Sequence, residues 1–214
     1  MPITPITVSD FIYLASQSPR RLQLLEQWGV RCELLLPDRS EDAEALEAVV
    51  SGEAPATYVR RVTGLKLDAA VQRLLRRRLP LAPVLCADTT VALGRQILGK
   101  PADAVEARRM LSSLSSRRHR VLTAVAVARP RPGGRHQRWL ALSTSQVEFD
   151  AWSTADIRRY VASGEPMGKA GAYAIQGAAA LHIRRISGSY SGIMGLPAHE
   201  TAQVLRAAGM RLAC

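Results

Sequence analysis

The sequence predicts an α/β protein built on a mixed sheet, and three observations predict it. Short apolar runs alternate with longer segments whose apolar residues recur at helical spacing. Two long strand-like runs, Val121 to Ala128 and Trp139 to Phe149, are joined only by the Pro/Gly/Arg-rich link Pro130 to Arg135, which makes them an antiparallel pair. The 214 residues are 47% apolar and 22% charged with mean hydropathy near zero, an ordinary globular composition for one domain spanning 1–214, whether compact or in two lobes about a cleft.

Each element follows from local pattern. Phe11 to Ala15 is an apolar strand, and Ser18-Pro19 reads as N-cap and first position of a helix, because serine oxygen accepts an orphan N–H and proline has none to lose. Leu22, Leu24, Leu25 and Trp28 give that helix its face, and Gly29 stops it. A strand at Cys32 to Leu36 precedes an acidic segment, Asp38 to Glu53, which holds six of the eighteen acids and reads mainly as a solvated loop or helix. Ala56 to Arg78 keeps helical period until Pro80 and Pro83. Val84 to Asp88 is a buried-type strand ending in a carboxylate, and Val91 to Leu93 with Gln96 to Leu98 flank Gly94-Arg95 as a hairpin. Asp103 with Glu106 resembles a capping box for a helix through Leu111, and Ser153 with Asp156 opens another that ends near Gly164. A glycine-rich stretch, a strand at about Leu181 to Ile186, a loop to Gly195 and a helix from Pro197 complete the chain.

No apolar run reaches eighteen residues and the N-terminus lacks a secretory pattern, so neither a membrane span nor classical secretion is expected. Cys32, Cys86 and Cys214 form no disulfide framework and no zinc-ligand pair, which suits a reducing cytoplasm. Charge is more informative. The excess of 29 Lys plus Arg over 18 Asp plus Glu gives +11 and favours a polyanionic ligand, nucleotide or nucleic acid. Only three of those cations are lysine, Lys66, Lys100 and Lys169, and where an arginine-biased chain still uses lysine a compact, adjustable charge is indicated. Each lysine is therefore a site candidate.

Ser16-x-Ser18-Pro19-Arg20-Arg21 at a strand-to-helix junction combines hydroxyls, helix N–H groups and forked guanidinium donors, a set matched to phosphate oxygens, although a plainly capped helix with exposed arginines has the same pattern. It is not a Walker loop. Asp88, followed by Thr89-Thr90 at the rim of a sheet, can hold a divalent cation or deprotonate water; a turn aspartate is the bland alternative. Gly164 to Gly177 supplies glycines for close approach, Lys169, and Gln176, whose amide can pair with the edge of a base. His119, His136, His182 and His199 show no ligand spacing.

LASQSPRR, ADTTVALGRQILGKP, LSSRRHRVLTAVAV, GEPMGKAGAYAIQG and SYSGIMGLP occur in that order, and together they closely resemble the Maf (septum-formation inhibitor) family of nucleoside triphosphate pyrophosphatases, from about Tyr13 to Leu205. The resemblance implies a twisted mixed sheet flanked by helices around a central cleft, a fold related to the inosine-triphosphate pyrophosphatases. It implies that Ser16, Ser18, Arg20 and Arg21 bind the triphosphate, that Asp88 accepts a proton, that Asp88 and Glu41 hold Mg²⁺ or Mn²⁺, and that Lys66, Lys100 and Lys169 neutralise phosphate charge. Arg20, Thr89 and Gln176 fall where base choice is tuned. Ala172-Tyr173 and Gln176 match the branch acting on dTTP and UTP, whereas the branch acting on 7-methyl-GTP carries a Ser-Phe pair and a Glu. A homodimer is a family expectation. Gly168, Ser116 and Gly192 depart from the family pattern, which has aspartate, glycine and asparagine there. The competing reading, a basic nucleic-acid-binding or cell-division regulatory protein, rests on the +11 charge and the family's name; 5% aromatic residues and the lack of a recognition-helix or zinc-finger motif weigh against it.

Overall fold

The computed structural model describes residues 10–38, 41–42, 45–131 and 135–212. Cys214, the centre of the Pro130 to Arg135 link and part of the acidic segment lie outside these residues. A seven-stranded mixed sheet runs through the molecule in the order β2-β1-β3-β5-β6-β7, with β4 on the far end of β3. β1 (Ile12–Leu14) lies parallel to both β2 (Cys32–Leu34) and β3 (Val84–Leu93), while β4 (Gln96–Leu98), β5 (Arg118–Pro130), β6 (His136–Phe149) and β7 (Ile183–Ser187) continue it antiparallel. The predicted mixed α/β architecture is thus the observed one.

Side-chain alternation on β3 sorts the two faces. Val84 and Cys86 pack under α2 (Pro55–Arg76) with Leu67, Val71 and Leu74, whereas Leu85 and Ala87 face α1 (Pro19–Gln27) and α6 (Ala198–Ala207) through Leu24, Leu25, Val204 and Leu205. A third cluster gathers α3 (Ala104–Leu114), α4 (Thr154–Ala162) and the aromatic group Phe149, Trp152, Tyr160 and Tyr173 at the other end. Each fully buried leucine or valine on α2 contributes about 1.5–3 kcal/mol relative to exposure. Among the described residues no helix is long and apolar enough to cross a membrane.

Three expectations change. The strand expected to stop at Asp88 runs unbroken to Leu93, because Thr89, Thr90 and Val91 stay in register with Thr123, Leu122 and Val121 of β5. The loop expected before Gly195 contains a short helix, α5 (Tyr190–Met194), too brief to show a period; Ser189 caps it and Gly195, at φ 119°, ends it. Ser18 does occupy the N-cap of α1 with Pro19 behind it, but its hydroxyl caps nothing. The other helix signals hold: Asp103 Oδ1 accepts from the Glu106 N–H at 2.8 Å, and Ser153 Oγ accepts from the Asp156 N–H at 3.1 Å.

Ser116, where the family pattern has glycine, is exposed and sits at φ 56°, in the left-handed region that penalises a Cβ. Ser116→Gly is expected to raise stability by about 1 kcal/mol, read as an increase in melting temperature; an unchanged or lower midpoint would contradict the strain.

Candidate active site

The site lies where the sheet is locally incomplete. β1 pairs with β3 only at Tyr13↔Val84 and Leu14↔Leu85, and β4 joins β3 only from Val91, so Cys86 to Thr90 has β5 along one edge and no strand along the other. The chain leaves β1 at that gap and turns through Ser16 to Ser18 into α1. A cavity of about 440 Å³ opens there. Ser16, Ser18, Arg20, Arg21, Lys66, Asp88, Thr89, Lys100, Lys169 and Gln176 all line it. Residues from five separate stretches of sequence therefore meet in one place.

Because β3 alternates, Asp88 and Thr89 serve opposite sides of the gap. Asp88 points toward α2, where Lys66 interrupts the inward stripe of Val59, Val62, Ala70 and Arg73. Lys66 Nζ donates to Asp88 Oδ1 at 2.5 Å and to Glu47 Oε1 at 2.7 Å, and Lys100 Nζ donates to both Glu47 oxygens at 2.8–2.9 Å. Burial opposes the charge on Glu47, but Lys66 and Lys100 together hold its carboxyl below the usual range. Burial likewise opposes the charge on Lys66, and Asp88 and Glu47 outweigh it and raise its proton affinity.

Glu41, expected beside Asp88, is elsewhere. Its carboxylate accepts from the buried Arg73 Nε at 3.0 Å and from Arg76 at 2.7 Å, and these bonds, led by that from Arg73, hold its pKa at about 2. The acid that reaches the cleft is Glu47, in a 3-10 turn at Ala45–Glu47 whose carbonyl accepts from Tyr58 Oη at 2.9 Å. Nothing in sequence pattern separates Glu47 from its acidic neighbours; the helical register of Tyr58, one turn into α2, is the only signal that bears on it.

Thr89 faces the other side. Its hydroxyl lies 2.9 Å from Thr123 Oγ1, which is 2.7 Å from the Gly192 carbonyl, and Arg21 Nη2 donates to it at 3.4 Å. Arg21 also donates from Nε to the Gly195 carbonyl at 2.8 Å and from Nη1 to Ser16 Oγ at 3.1 Å. Arg21 is therefore the post around which β1, β3 and α5 are assembled. Ser18, whose hydroxyl has no capping duty, lines the cavity with the start of α1, while its carbonyl accepts from the Arg21 and Leu22 N–H groups.

Lys169 donates to the carbonyls of Glu165 and Met167. Burial, and then the charge of nearby Arg20, lower its proton affinity, so two like charges stand close together. Among the described lining residues, Arg20, Arg21, Lys66, Lys100 and Lys169 face Glu47 and Asp88, while Arg73 is paired with Glu41, which leaves a surplus of three positive charges. That surplus suits a polyanion such as a nucleoside triphosphate. Gly168, also on the lining, lies at φ +71° with open space beyond its Cα, so the absent aspartate leaves a gap in the wall and no strain.

Beneath the 164–178 segment, His119 Nε2 lies 2.8 Å from Tyr173 Oη in a buried aromatic cluster with Phe149. Burial depresses the His119 pKa to about 4. The unfolded chain thus takes up a proton between pH 6.5 and 4 that the folded chain refuses, and stability falls as pH drops through that window. From pH 7.5 to 5 this histidine is expected to cost the fold about 2 kcal/mol, a loss that urea midpoints would show in the natural chain and not in His119→Gln.

The Maf-like protein family model matches residues 11–208. A dTTP/UTP pyrophosphatase of Albidiferax ferrireducens is 64% identical over 205 residues, covering 96% of this chain and 100% of that one. A dTTP/UTP pyrophosphatase of a Polaromonas species is 64% identical over 204 residues, covering 95% and 98%. A distant backbone likeness links the chain to a HAM1 protein from Coxiella burnetii, with a TM-score of 0.42 and 14% identity over 66% of this chain and 73% of that one.

Proposed function

From the fact that the chain belongs to the Maf family, we infer that it is a nucleoside triphosphate pyrophosphatase that hydrolyses dTTP and UTP to the monophosphate and pyrophosphate. The observation that carries the reading to this molecule is the gap beside β3, where Asp88 stands among a surplus of cations.

Hydrolysis at the α-phosphorus needs a triphosphate held in line, a water deprotonated behind it, and charge neutralised on the departing pyrophosphate. Ser16, Ser18, Arg20 and the start of α1 hold the phosphates, with Arg21 fixing the geometry of that turn. Asp88 takes a proton from the attacking water as its oxygen bonds to the α-phosphorus; the bond to the bridging oxygen breaks, and pyrophosphate carries away the electron pair. Lys66, Lys100 and Lys169 stabilise the growing charge. Glu47 holds Lys66 and Lys100 together and so orients both over the cleft.

The donor set also suits a hard cation. Asp88 and Glu47 both contact one Lys66 ammonium, so the space between the two carboxylates already favours positive charge. Asp88 and Glu47 would hold Mg²⁺ or Mn²⁺, hard cations that one or two carboxylates suffice to bind beside a substrate's phosphates. Such an ion would draw charge from the phosphate oxygens. At the other end of the cleft, Gln176 is exposed on the lining and reads the base, since one amide can donate to a carbonyl and accept from N3–H. We place the protein in the cytoplasm, where the unpaired thiols Cys32 and Cys86 stay reduced.

The direct test is product analysis over dTTP, UTP, CTP, GTP and 7-methyl-GTP with Mg²⁺ or Mn²⁺, scoring pyrophosphate separately from orthophosphate. Pyrophosphate from dTTP and UTP is expected at rates at least about tenfold above the others. Orthophosphate as first product would refute attack at the α-phosphorus, and a preference for 7-methyl-GTP would refute the base assignment.

A further inference from the structure

The steps above leave unused two polar side chains packed under the base-reading segment, Tyr160 on the buried face of α4 and Glu165 just beyond its end. The Ala174 N–H donates to Tyr160 Oη at 3.2 Å, Tyr160 Oη donates to Glu165 Oε1 at 2.8 Å, and the Ala178 N–H donates to Glu165 Oε2 at 3.2 Å. The Gly177 N–H closes back onto the Ala174 carbonyl at 3.1 Å. A Cβ at Gly177 would fall 2.0 Å from Glu165 Oε1, so the carboxylate keeps this place only beside a glycine. One phenol and one carboxylate thus tie down the backbone two residues before and two residues after Gln176, while Gln176 itself stays exposed.

We propose that Tyr160 and Glu165 are positioning residues for base selection, clamping 174–178 so that the Gln176 amide meets a pyrimidine edge and is not placed for a purine edge. This rests on the assignment of Gln176 as the base reader. Pyrimidine and purine edges stand at different distances from the sugar, and a glutamine amide on a loose backbone can meet either one. The amide alone therefore does not discriminate. Discrimination needs a fixed Cα, which limits the rotamers that reach the base, and the clamp supplies it without touching the ligand. The Glu165 backbone carbonyl, which accepts from Lys169, survives substitution of its side chain, so the base end and the phosphate end of this segment can be perturbed separately.

The test is kcat/KM for UTP, dTTP and GTP with the full chain and with Tyr160→Phe, Glu165→Ala and Glu165→Gln, each alone and combined with Gln176→Ala. Tyr160→Phe and Glu165→Ala are expected to reduce the UTP-over-GTP ratio about tenfold, mainly through KM, with kcat on UTP changed less than about threefold. Glu165→Gln keeps one accepting oxygen and is expected to retain most of the ratio. In the Gln176→Ala background the same substitutions should change the ratio no further, a non-additivity that a merely structural contribution would not produce. Tyr160→Phe preserves the ring packing and decides the matter if Glu165→Ala does not fold. A folded Tyr160→Phe with an unchanged ratio, or an equal effect without Gln176, overturns the clamp while leaving the pyrophosphatase assignment standing. Absence of pyrophosphate from all three nucleotides in the unsubstituted chain overturns the assignment itself, and the clamp with it.

Discussion

Asp88→Asn is expected to lower kcat on dTTP and UTP by about 10³-fold or more, with nucleotide binding kept or tightened and the melting temperature little changed. The substitution is isosteric and removes the proton acceptor together with one of the two negative charges on the cleft wall. Lys66 keeps its 2.7 Å bond to Glu47, so no buried charge is left without a partner and the fold has no reason to fail. One fewer carboxylate facing a polyanion favours binding. Single-turnover pyrophosphate release beside calorimetric titration with UTP separates the two effects. Turnover near that of the natural chain would remove Asp88 from the chemistry, and lost binding with the fold intact would make it a metal or substrate ligand in place of the proton acceptor.

Two neighbouring acids are expected to respond in opposite ways. Glu47→Gln should cut kcat/KM about 10²-fold with little loss of stability, because Lys66 and Lys100 lose the carboxylate that holds them together over the cleft. Glu41→Gln should leave the catalytic constants of the folded enzyme intact and cost about 2 kcal/mol of stability, since the buried Arg73 is left with only the Leu35 carbonyl and a neutral partner. Denaturant titration and steady-state kinetics on both variants read the contrast. The reverse pattern would return Glu41 to the site and make Glu47 a surface acid.

That contrast marks where sequence patterns stop. Ser16 to Arg21, Asp88 and the three lysines were legible because each sits on or beside an element with its own local signature: a capped helix start, an apolar strand, a helical stripe, a Gly-Lys-Pro turn. Glu47 has none. Its place depends on Tyr58 and Arg61 of α2 holding the 45–53 segment through the Glu47 and Ala48 carbonyls and the Glu53 carboxylate, contacts between segments that no period encodes. The full length of β3 was hidden for a related reason. A strand and the first arm of a hairpin look alike locally, and only the continuous register with β5 shows them to be one element. Arg21 looked like a phosphate ligand because a guanidinium beside two serines suits one; its bonds to Gly195 and Thr89, far away in the chain, reveal its second task.

The unbroken course of β3 through the gap also divides the site by stability. Asp88 lies midway along a nine-pair ladder with β5, so its position is lost only when the whole sheet opens. Gln176 hangs on a few hydrogen bonds in a segment without a ladder, and Glu47 on a single turn. Under rising temperature or mild denaturant the parts that choose the nucleotide and marshal the cations fluctuate first, while the proton acceptor stays in place. Base selection and the placing of the lysines should therefore loosen while the proton acceptor is still held, and amide exchange should be fast in 174–178 and slow around Asp88 in the same molecule.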